Sequence, residues 1–402
     1  MSQQIVGSIR KTETQDLCKV CGDTGLDRLA DYSSLPRVTS DCKPWPAGGE
    51  LSVCGRCGAI QKIANQSWFE EISAIYKGYE IYHLSDGSEQ VIFNGKNGAN
   101  VPRSHRLVDF LVETLKLPQS GRLLDMGCGN GSALTNFSRA LPGWTLYGSE
   151  ISDAALQLLR RLPNFDTLFT CKEMDIPGSY NLISMIHSLE HMPDPLVSLR
   201  NARERLGDGG WLFIEVPDAS TSPFDVLVAD HLVHLTRETL KILVRRAGLI
   251  ERVLTNKILP KELTFVGGRG EEKQGFSRTD SGTGKTLASE HLRWLSEIIN
   301  NAQRIAANGN SFGIFGTSIS GMWLYGALRE KVDFFVDEDR SRVGRQYQGR
   351  TIYLPEDVPA GADVFVPLVP DVAASVAQRC AHLPACFHLP PSYPKSRALH
   401  TN

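Results

Sequence analysis

The sequence predicts an α/β protein built on a doubly wound parallel sheet, and three observations carry that expectation. Leu123-Leu124-Asp125-Met126-Gly127-Cys128-Gly129-Asn130-Gly131 is a buried-strand pattern running into a turn with glycine at every second position, and a helix pattern follows from Ser132. Beyond it, strand and helix patterns alternate, as they do in parallel α/β sheets. Phe312-Gly313-Ile314-Phe315-Gly316-Thr317-Ser318-Ile319-Ser320-Gly321 repeats the strand, glycine turn and helix in the last part of the chain.

At 402 residues the chain is too long for one ordinary core. Three units are expected: a cysteine-bearing module over 1–74, a glycine-turn α/β domain over 75–268, and a smaller α/β domain over 286–402. Lys and Arg number 43 against 45 Asp and Glu, for a net charge of −2. That balance gives no pull toward nucleic acid or an anionic membrane. No apolar run reaches the length of a membrane span. Met1 to Lys11 has no apolar core of the secretory kind. The expectation is a cytoplasmic protein.

The elements follow in order. Cys18-Lys19-Val20-Cys21 and Cys54-Gly55-Arg56-Cys57 are two CxxC knuckles, each followed by a glycine, Gly22 and Gly58. A CxxC pair sets two sulfurs on one turn, and two pairs give the four thiolates of a closed structural zinc site. Cys18, Cys21, Cys54 and Cys57 are the expected metal ligands, with Cys42 a spare. Ser104 to Leu115 reads as a helix and the glycine turn follows. Trp144 to Glu150 is a strand and Ala154 to Leu162 its helix. Tyr180 to Ile186 is a buried strand, Pro195 to Leu206 a helix, and Trp211 to Val216 a strand. Gly267 to Lys285 loses apolar periodicity and reads as a linker. A helix over Thr286 to Ala307 enters the last unit, where Val332 to Val336 and Val364 to Val366 add strands.

Glycines at every second position let the backbone bend sharply and let a flat ligand lie against it. The ligand would lie at the carboxyl ends of the strands, the usual site in open α/β sheets. A dinucleotide turn would read G-x-G-x-x-G, which is absent. The D-x-G-x-G-x-G run instead resembles the first motif of class I S-adenosylmethionine (SAM) methyltransferases. Glu150 ends the next strand, where an acidic residue holds ribose hydroxyls in nucleotide-binding folds. The cofactor set expected on this resemblance is Asp125, Gly127, Cys128, Gly129, Gly131, Glu150, Ile151 and His187.

Two further segments carry titratable groups. The strand ending at Ile186 delivers His187-Ser188-Leu189-Glu190-His191 toward the site. Val228-Ala229-Asp230-His231-Leu232-Val233-His234 precedes a helix that Thr236 can cap, with Glu238 in its first turn. His231, with Asp230 as its acidic neighbour, is the expected general base. Tyr82, His191 and His234 are candidates to hydrogen-bond a developing oxyanion. In the last unit Asp337 follows a strand, and Arg340, Arg342, Arg345 and Arg350 cluster after it, a reasonable cradle for pyrophosphate.

The order of knuckles, glycine motif, Asp-His segment and glycine-turn tail resembles the three-domain sugar C-methyltransferases, which act on nucleotide-linked 4-keto-deoxysugars. Members carry a Tyr-His-Glu-His-type segment whose last His is taken as the base; here it reads Val228-Ala229-Asp230-His231. Their Gly-Tyr-Gly tail turn is replaced by Ile314-Phe315-Gly316-Thr317-Ser318. The chain is also similar to a looser group of bacterial methyltransferases, whose pattern Tyr79, Tyr82 and Lys261-Glu262-Leu263 fit. The resemblance implies methyl transfer from SAM to a small, nucleotide-activated sugar, with His231 taking a proton next to a ketone, and neither nucleic acid nor membrane as partner. The alternatives are O- or N-methylation of a glycan or metabolite and, more remotely, an inactive zinc and SAM-binding scaffold.

Overall fold

The computed structural model describes residues 16–80, 91–92, 101–272 and 281–393. Its centre is a seven-stranded sheet of β1 (Gly121–Met126), β2 (Trp144–Ser149), β3 (Phe165–Phe169), β4 (Tyr180–Ile186), β5 (Leu206–Pro217), β6 (Leu249–Thr255) and β7 (Glu262–Arg269). The spatial order is β3-β2-β1-β4-β5-β7-β6. All strands run parallel except β7, which lies antiparallel to both β5 and β6. The sheet is therefore mixed rather than wholly parallel. The reason is local: β6 and β7 are joined by a short loop, and a short loop connects only antiparallel neighbours.

The parallel strands are apolar on both faces, as burial between two helix layers requires. Along β1, Leu124 and Met126 enter one core while Leu123 enters the other. The four cysteines Cys18, Cys21, Cys54 and Cys57 belong to the same core as Leu124 and Ile183. A four-stranded sheet carries the knuckles: Leu26–Arg28, Leu51–Cys54, Ile60–Lys62 and, from far along the chain, Val233–His234. His234 pairs there with Ile60, and Val233 with Gln61. The segment expected to hold the base is thus a strand of the cysteine-bearing sheet.

A six-stranded sheet forms the last part, in the order Gln346–Tyr347, Arg350–Tyr353, Phe334–Val336, Phe312–Phe315, Asp363–Phe365 and Cys386–His388. Its core includes Trp294, Trp323 and Phe335 together with Tyr32, Leu35 and Leu51. Gly316 takes a left-handed φ of 87°. A Cβ on Gly321 would meet the Gly316 carbonyl oxygen at 1.9 Å, so this turn and the helix Ile319–Leu328 need glycine at both positions.

Several boundaries differ from the sequence reading. The helix expected over Ala154 to Leu162 is only one turn, Leu156–Leu159. Gly267 to Arg269 belong to β7, and the next helix begins at Ser281, so the expected linker from Gly267 to Lys285 is shorter. Thr236 does cap Arg237–Arg246, accepting from the Thr239 amide, with Glu238 in the first turn. No helix among the described residues is long and apolar enough to cross a membrane.

Candidate functional site

A cavity of about 400 Å³ opens at the carboxyl ends of β1 and β4. That is a usual size for a small-molecule pocket. One wall is the glycine turn: Asp125, Gly127, Cys128, Gly129 and Asn130. The second wall holds His187, Glu190, His191, Asp225 and His231. Ser40, Cys42 and Tyr79 close it from the N-terminal segment, and Thr317 to Ser320 with Arg342 from the last sheet.

The glycine turn is built as the sequence predicts. Gly127, Gly129 and Gly131 all take left-handed φ, at 76°, 53° and 82°. Asp125 is 2% exposed and accepts a hydrogen bond from the Ser184 hydroxyl at 2.7 Å. Burial pushes its carboxyl up to about 7. Glu150 ends the adjacent strand, where Oε2 accepts from the Gly129 amide at 2.9 Å and Oε1 from the Ile151 amide at 2.7 Å. A carboxylate at each of two neighbouring strand ends, around a turn free of side chains, suits a ligand that carries an ammonium group and ribose hydroxyls. The Cys128 thiol is buried against Gly148, whose Cβ would meet Sγ at 2.7 Å. Ile151 is 59% exposed.

His187 also takes a left-handed φ, of 50°. Its Nε2 lies 2.6 Å from the Arg103 guanidinium, which in turn donates to Glu262 at 2.6 Å. Nδ1 lies 3.3 Å from Glu190 Oε1.

The histidine wall departs from expectation in one respect that matters. His231 Nδ1 pairs with Asp225 Oδ1 at 2.7 Å, not with the adjacent Asp230. A side chain at the preceding position leaves in a different direction, so sequence adjacency does not make a pair. Asp230 instead accepts from the Ser40 amide at 2.9 Å, and His191 Nδ1 approaches its Oδ2 at 3.4 Å. Burial opposes charge on His191, yet Asp230 and Glu190 beside it hold the imidazolium up to about 9. The rings of His191 and His231 meet edge to face at 4.5 Å. Burial disfavours charge on Asp225, but His234 and His231 hold its carboxyl well below the usual range.

His234, expected as an oxyanion donor, is buried and absent from the cavity wall. Its Nδ1 pairs with Asp225 Oδ2 at 2.7 Å, and its Nε2 faces Lys62 Nζ at 3.2 Å. Tyr82 lies outside the described residues. Tyr76 reaches the site instead, with its hydroxyl 3.2 Å from His191 Nδ1. Of the four arginines expected to cluster, Arg342 alone lines the cavity, donating to the Thr317 hydroxyl at 3.0 Å and paired with Asp337 at 3.5 Å and Asp339 at 3.4 Å. Arg350 is occupied by the Val332 carbonyl and Glu330.

The four cysteine sulfurs lie within 4.8 Å of one another, and all four residues are buried. Cys18 and Cys57 approach to 3.6 Å, and Cys21 and Cys54 to 3.5 Å. Zn–S bonds of about 2.3 Å in a tetrahedron set sulfurs about 3.8 Å apart, so the cluster has the dimensions of that donor set. Gly22 and Gly58 supply the left-handed turns, at φ 79° and 74°.

Asp225 and Lys62 were missed in the sequence. Asp225 stands six places before His231, and nothing in that spacing marks a pair. Lys62 gives only a weak signal, a charge set among apolar residues in Ile60-Gln61-Lys62-Ile63.

The model of a methyltransferase domain family matches residues 101–250. A ubiquinone biosynthesis O-methyltransferase of Xanthomonas campestris is 27% identical over 136 residues, which is 32% of this chain and 56% of that protein. One of Bordetella pertussis is 27% identical over 124 residues, 29% of this chain and 50% of that protein. The chain thus spans about half the length of the curated relatives it matches. Among solved structures, a SAM-dependent methyltransferase from Clostridium acetobutylicum aligns with 14% identity and a TM-score of 0.36, covering 42% of this chain and 90% of that one. CalO1, a methyltransferase in calicheamicin biosynthesis, aligns with 17% identity and a TM-score of 0.35 over 42% of this chain and 54% of its own. Residues 101–250 of this chain thus match a methyltransferase domain.

Proposed function

We propose that this protein transfers a methyl group from SAM to a small acceptor held between the glycine turn and the histidine wall, with His231 as general base. One observation carries the reading. His231 is paired through Nδ1 to Asp225 at 2.7 Å and stands on the same cavity as Asp125 and Gly129. Asp125, Gly127, Gly129 and Glu150 would hold SAM, whose sulfonium supplies an electrophilic methyl carbon. The remaining work is alignment of the acceptor and removal of its proton. Asp225 accepts a hydrogen bond from the Nδ1–H of His231 and so leaves Nε2 to take a proton from the acceptor. His191, kept cationic by Asp230 and Glu190, stabilises negative charge that develops on an acceptor oxygen.

The acceptor we infer is a sugar linked to a nucleotide, methylated at carbon beside a ketone. The Thr317–Ser320 turn supports this, since it forms the far wall of the cavity and opens the helix Ile319–Leu328, whose N-terminal amides suit an anionic group. A second reading, methylation of a hydroxyl oxygen, is favoured by the names of the curated relatives. His231 would serve either reaction. The four cysteines we assign to structural zinc, on the strength of their spacing.

The test has two arms. His231→Ala should keep affinity for S-adenosylhomocysteine by calorimetry and lose turnover by about 10²–10⁴-fold. Near-normal turnover would remove His231 from the mechanism. NMR of product made with a ¹³C-methyl donor and a panel of nucleotide sugars then separates carbon from oxygen methylation.

A further inference from the structure

Lys62 is 1% exposed and lies outside the cavity wall, yet it is bound to the segment that carries the proposed base. Its Nζ donates to the Val228 carbonyl at 2.5 Å and the His231 carbonyl at 3.0 Å, with the Val226 carbonyl at 3.3 Å. His234 Nε2 lies 3.2 Å from the same nitrogen. A lysine side chain in its ammonium form has three donors and no acceptor. Asp225 Oδ2 faces the other nitrogen of the ring and only accepts, which puts the His234 proton on Nδ1 and turns the bare Nε2 toward the ammonium. That Nδ1–H then donates to Asp225 Oδ2 at 2.7 Å.

The second oxygen of the same carboxylate faces His231 Nδ1 at 2.7 Å. An ionised carboxylate only accepts, so His231 must also carry its proton on Nδ1. Its Nε2 is left bare, the state that a general base needs.

We propose that Lys62 is a positioning residue that ties down the 226–231 segment through its carbonyls and holds His234 as the Nδ1–H tautomer beside the Asp225–His231 pair. The chain of contacts runs Lys62 Nζ to His234 Nε2, His234 Nδ1 to Asp225 Oδ2, and Asp225 Oδ1 to His231 Nδ1. Lys62 ends the strand Ile60–Lys62, whose neighbour Leu51–Cys54 runs into the second cysteine knuckle, and whose other neighbour is Val233–His234 itself. The cysteine-bearing sheet therefore does more than support the fold: it delivers the group that ties down the segment bearing the base. Burial lowers Lys62 to about 7 and His234 to about 4, so between these values an ammonium stands beside a neutral imidazole. His191 and Glu190 also face His231, but the partner of its Nδ1 is Asp225.

The role of Lys62 rests on the reading of His231 as base, but its test does not need turnover. Protein labelled with ¹⁵N-histidine, assigned with single histidine variants, reports which nitrogen of each ring carries the proton. At pH 6, below the value for Lys62 and above that for His234, the parent should show both His234 and His231 protonated on Nδ1. In Lys62→Met, His234 should gain an Nε2–H population and titrate at higher pH, while affinity for S-adenosylhomocysteine stays within about twofold. A parent spectrum with His231 or His234 protonated on Nε2 overturns the proposal, as does a Lys62→Met spectrum with His234 unchanged. Should Lys62→Met fail to fold, the same spectrum of Lys62→Gln, which keeps amide donors for the carbonyls and carries no charge, decides in its place. Loss of the base reading would appear separately, as retained turnover in His231→Ala with the tautomers as stated.

Discussion

Asp225 joins two histidines at once, and the one that matters for chemistry is His231, held Nδ1 to Oδ1 at 2.7 Å. Asp230, the immediate neighbour of His231 in the chain, serves His191 instead. The two aspartates therefore have separable effects. Asp225→Asn can donate from its amide and so favours the wrong tautomer of His231. Turnover should fall by about 10²–10⁴-fold. Asp230→Asn leaves the Asp225–His231 pair intact and should cost less. Equal losses in the two variants, with equal folding, would return Asp230 to the role that its sequence position suggests.

The glycine turn should be intolerant in a way that can be separated from simple strain. Gly127 has φ 76°, and a Cβ there would sit 2.5 Å from Ser188 Cβ. Gly209 has a similar φ of 67°, with nothing within 4 Å of an added Cβ. Both Gly→Ala changes cost about 1–2 kcal/mol of left-handed strain. Only Gly127→Ala should also weaken binding of S-adenosylhomocysteine, by roughly tenfold or more, because it displaces the wall of the cavity. Calorimetry on both variants checks this, and unchanged affinity in Gly127→Ala would detach the turn from the cofactor.

The contrast between the two ends of the site explains what the sequence can and cannot reveal. The glycine turn was legible because one local stretch supplies strand, turn and helix, so spacing alone specifies its geometry. The knuckles were legible for the same reason: Cys18 with Cys21, and Cys54 with Cys57, are each a single turn. The Asp225–His231 pair was not, because it depends on a 3₁₀ turn over Asp225–Leu227 that brings the carboxylate to Nδ1 of the ring. Lys62 was further from reach, since its partners lie more than 160 residues away and meet it only through sheet pairing. The antiparallel β7 was hidden too, because a strand covered on both faces has the same apolar pattern in either direction.

Metal content should follow the knuckles and not the other thiols. The purified chain should hold about one zinc per molecule by mass spectrometry of the metals. Cys54→Ser should lose it and lower the melting temperature, since a closed four-thiolate site contributes folding energy directly. Cys42→Ser is the control: that residue lies on the cavity wall and not in the cluster. Zinc retained at full occupancy in Cys54→Ser would remove the four cysteines as its ligands.

The stability of the chain should carry the signature of His191. Its imidazole faces Asp230, the Tyr76 hydroxyl, Glu190 and the edge of His231. Although burial alone would lower it, the carboxylates raise it from 6.5 to about 9. A base raised in the folded state binds its proton more tightly there than in the unfolded chain. The stabilisation is fully present below 6.5 and is lost as pH rises through 9. Its size is on the order of 3 kcal/mol, at about 1.4 kcal/mol per unit. Lys62 acts in the opposite sense, since burial lowers it to about 7 and stability rises as the unfolded side chain loses its extra proton. The comparison must therefore be made between parent and variant. Denaturation in urea from about pH 6 to 9.5 should show the parent losing more stability than His191→Gln across that window. Parallel curves would mean that His191 is already neutral at pH 7, and that it cannot be the cation facing the acceptor.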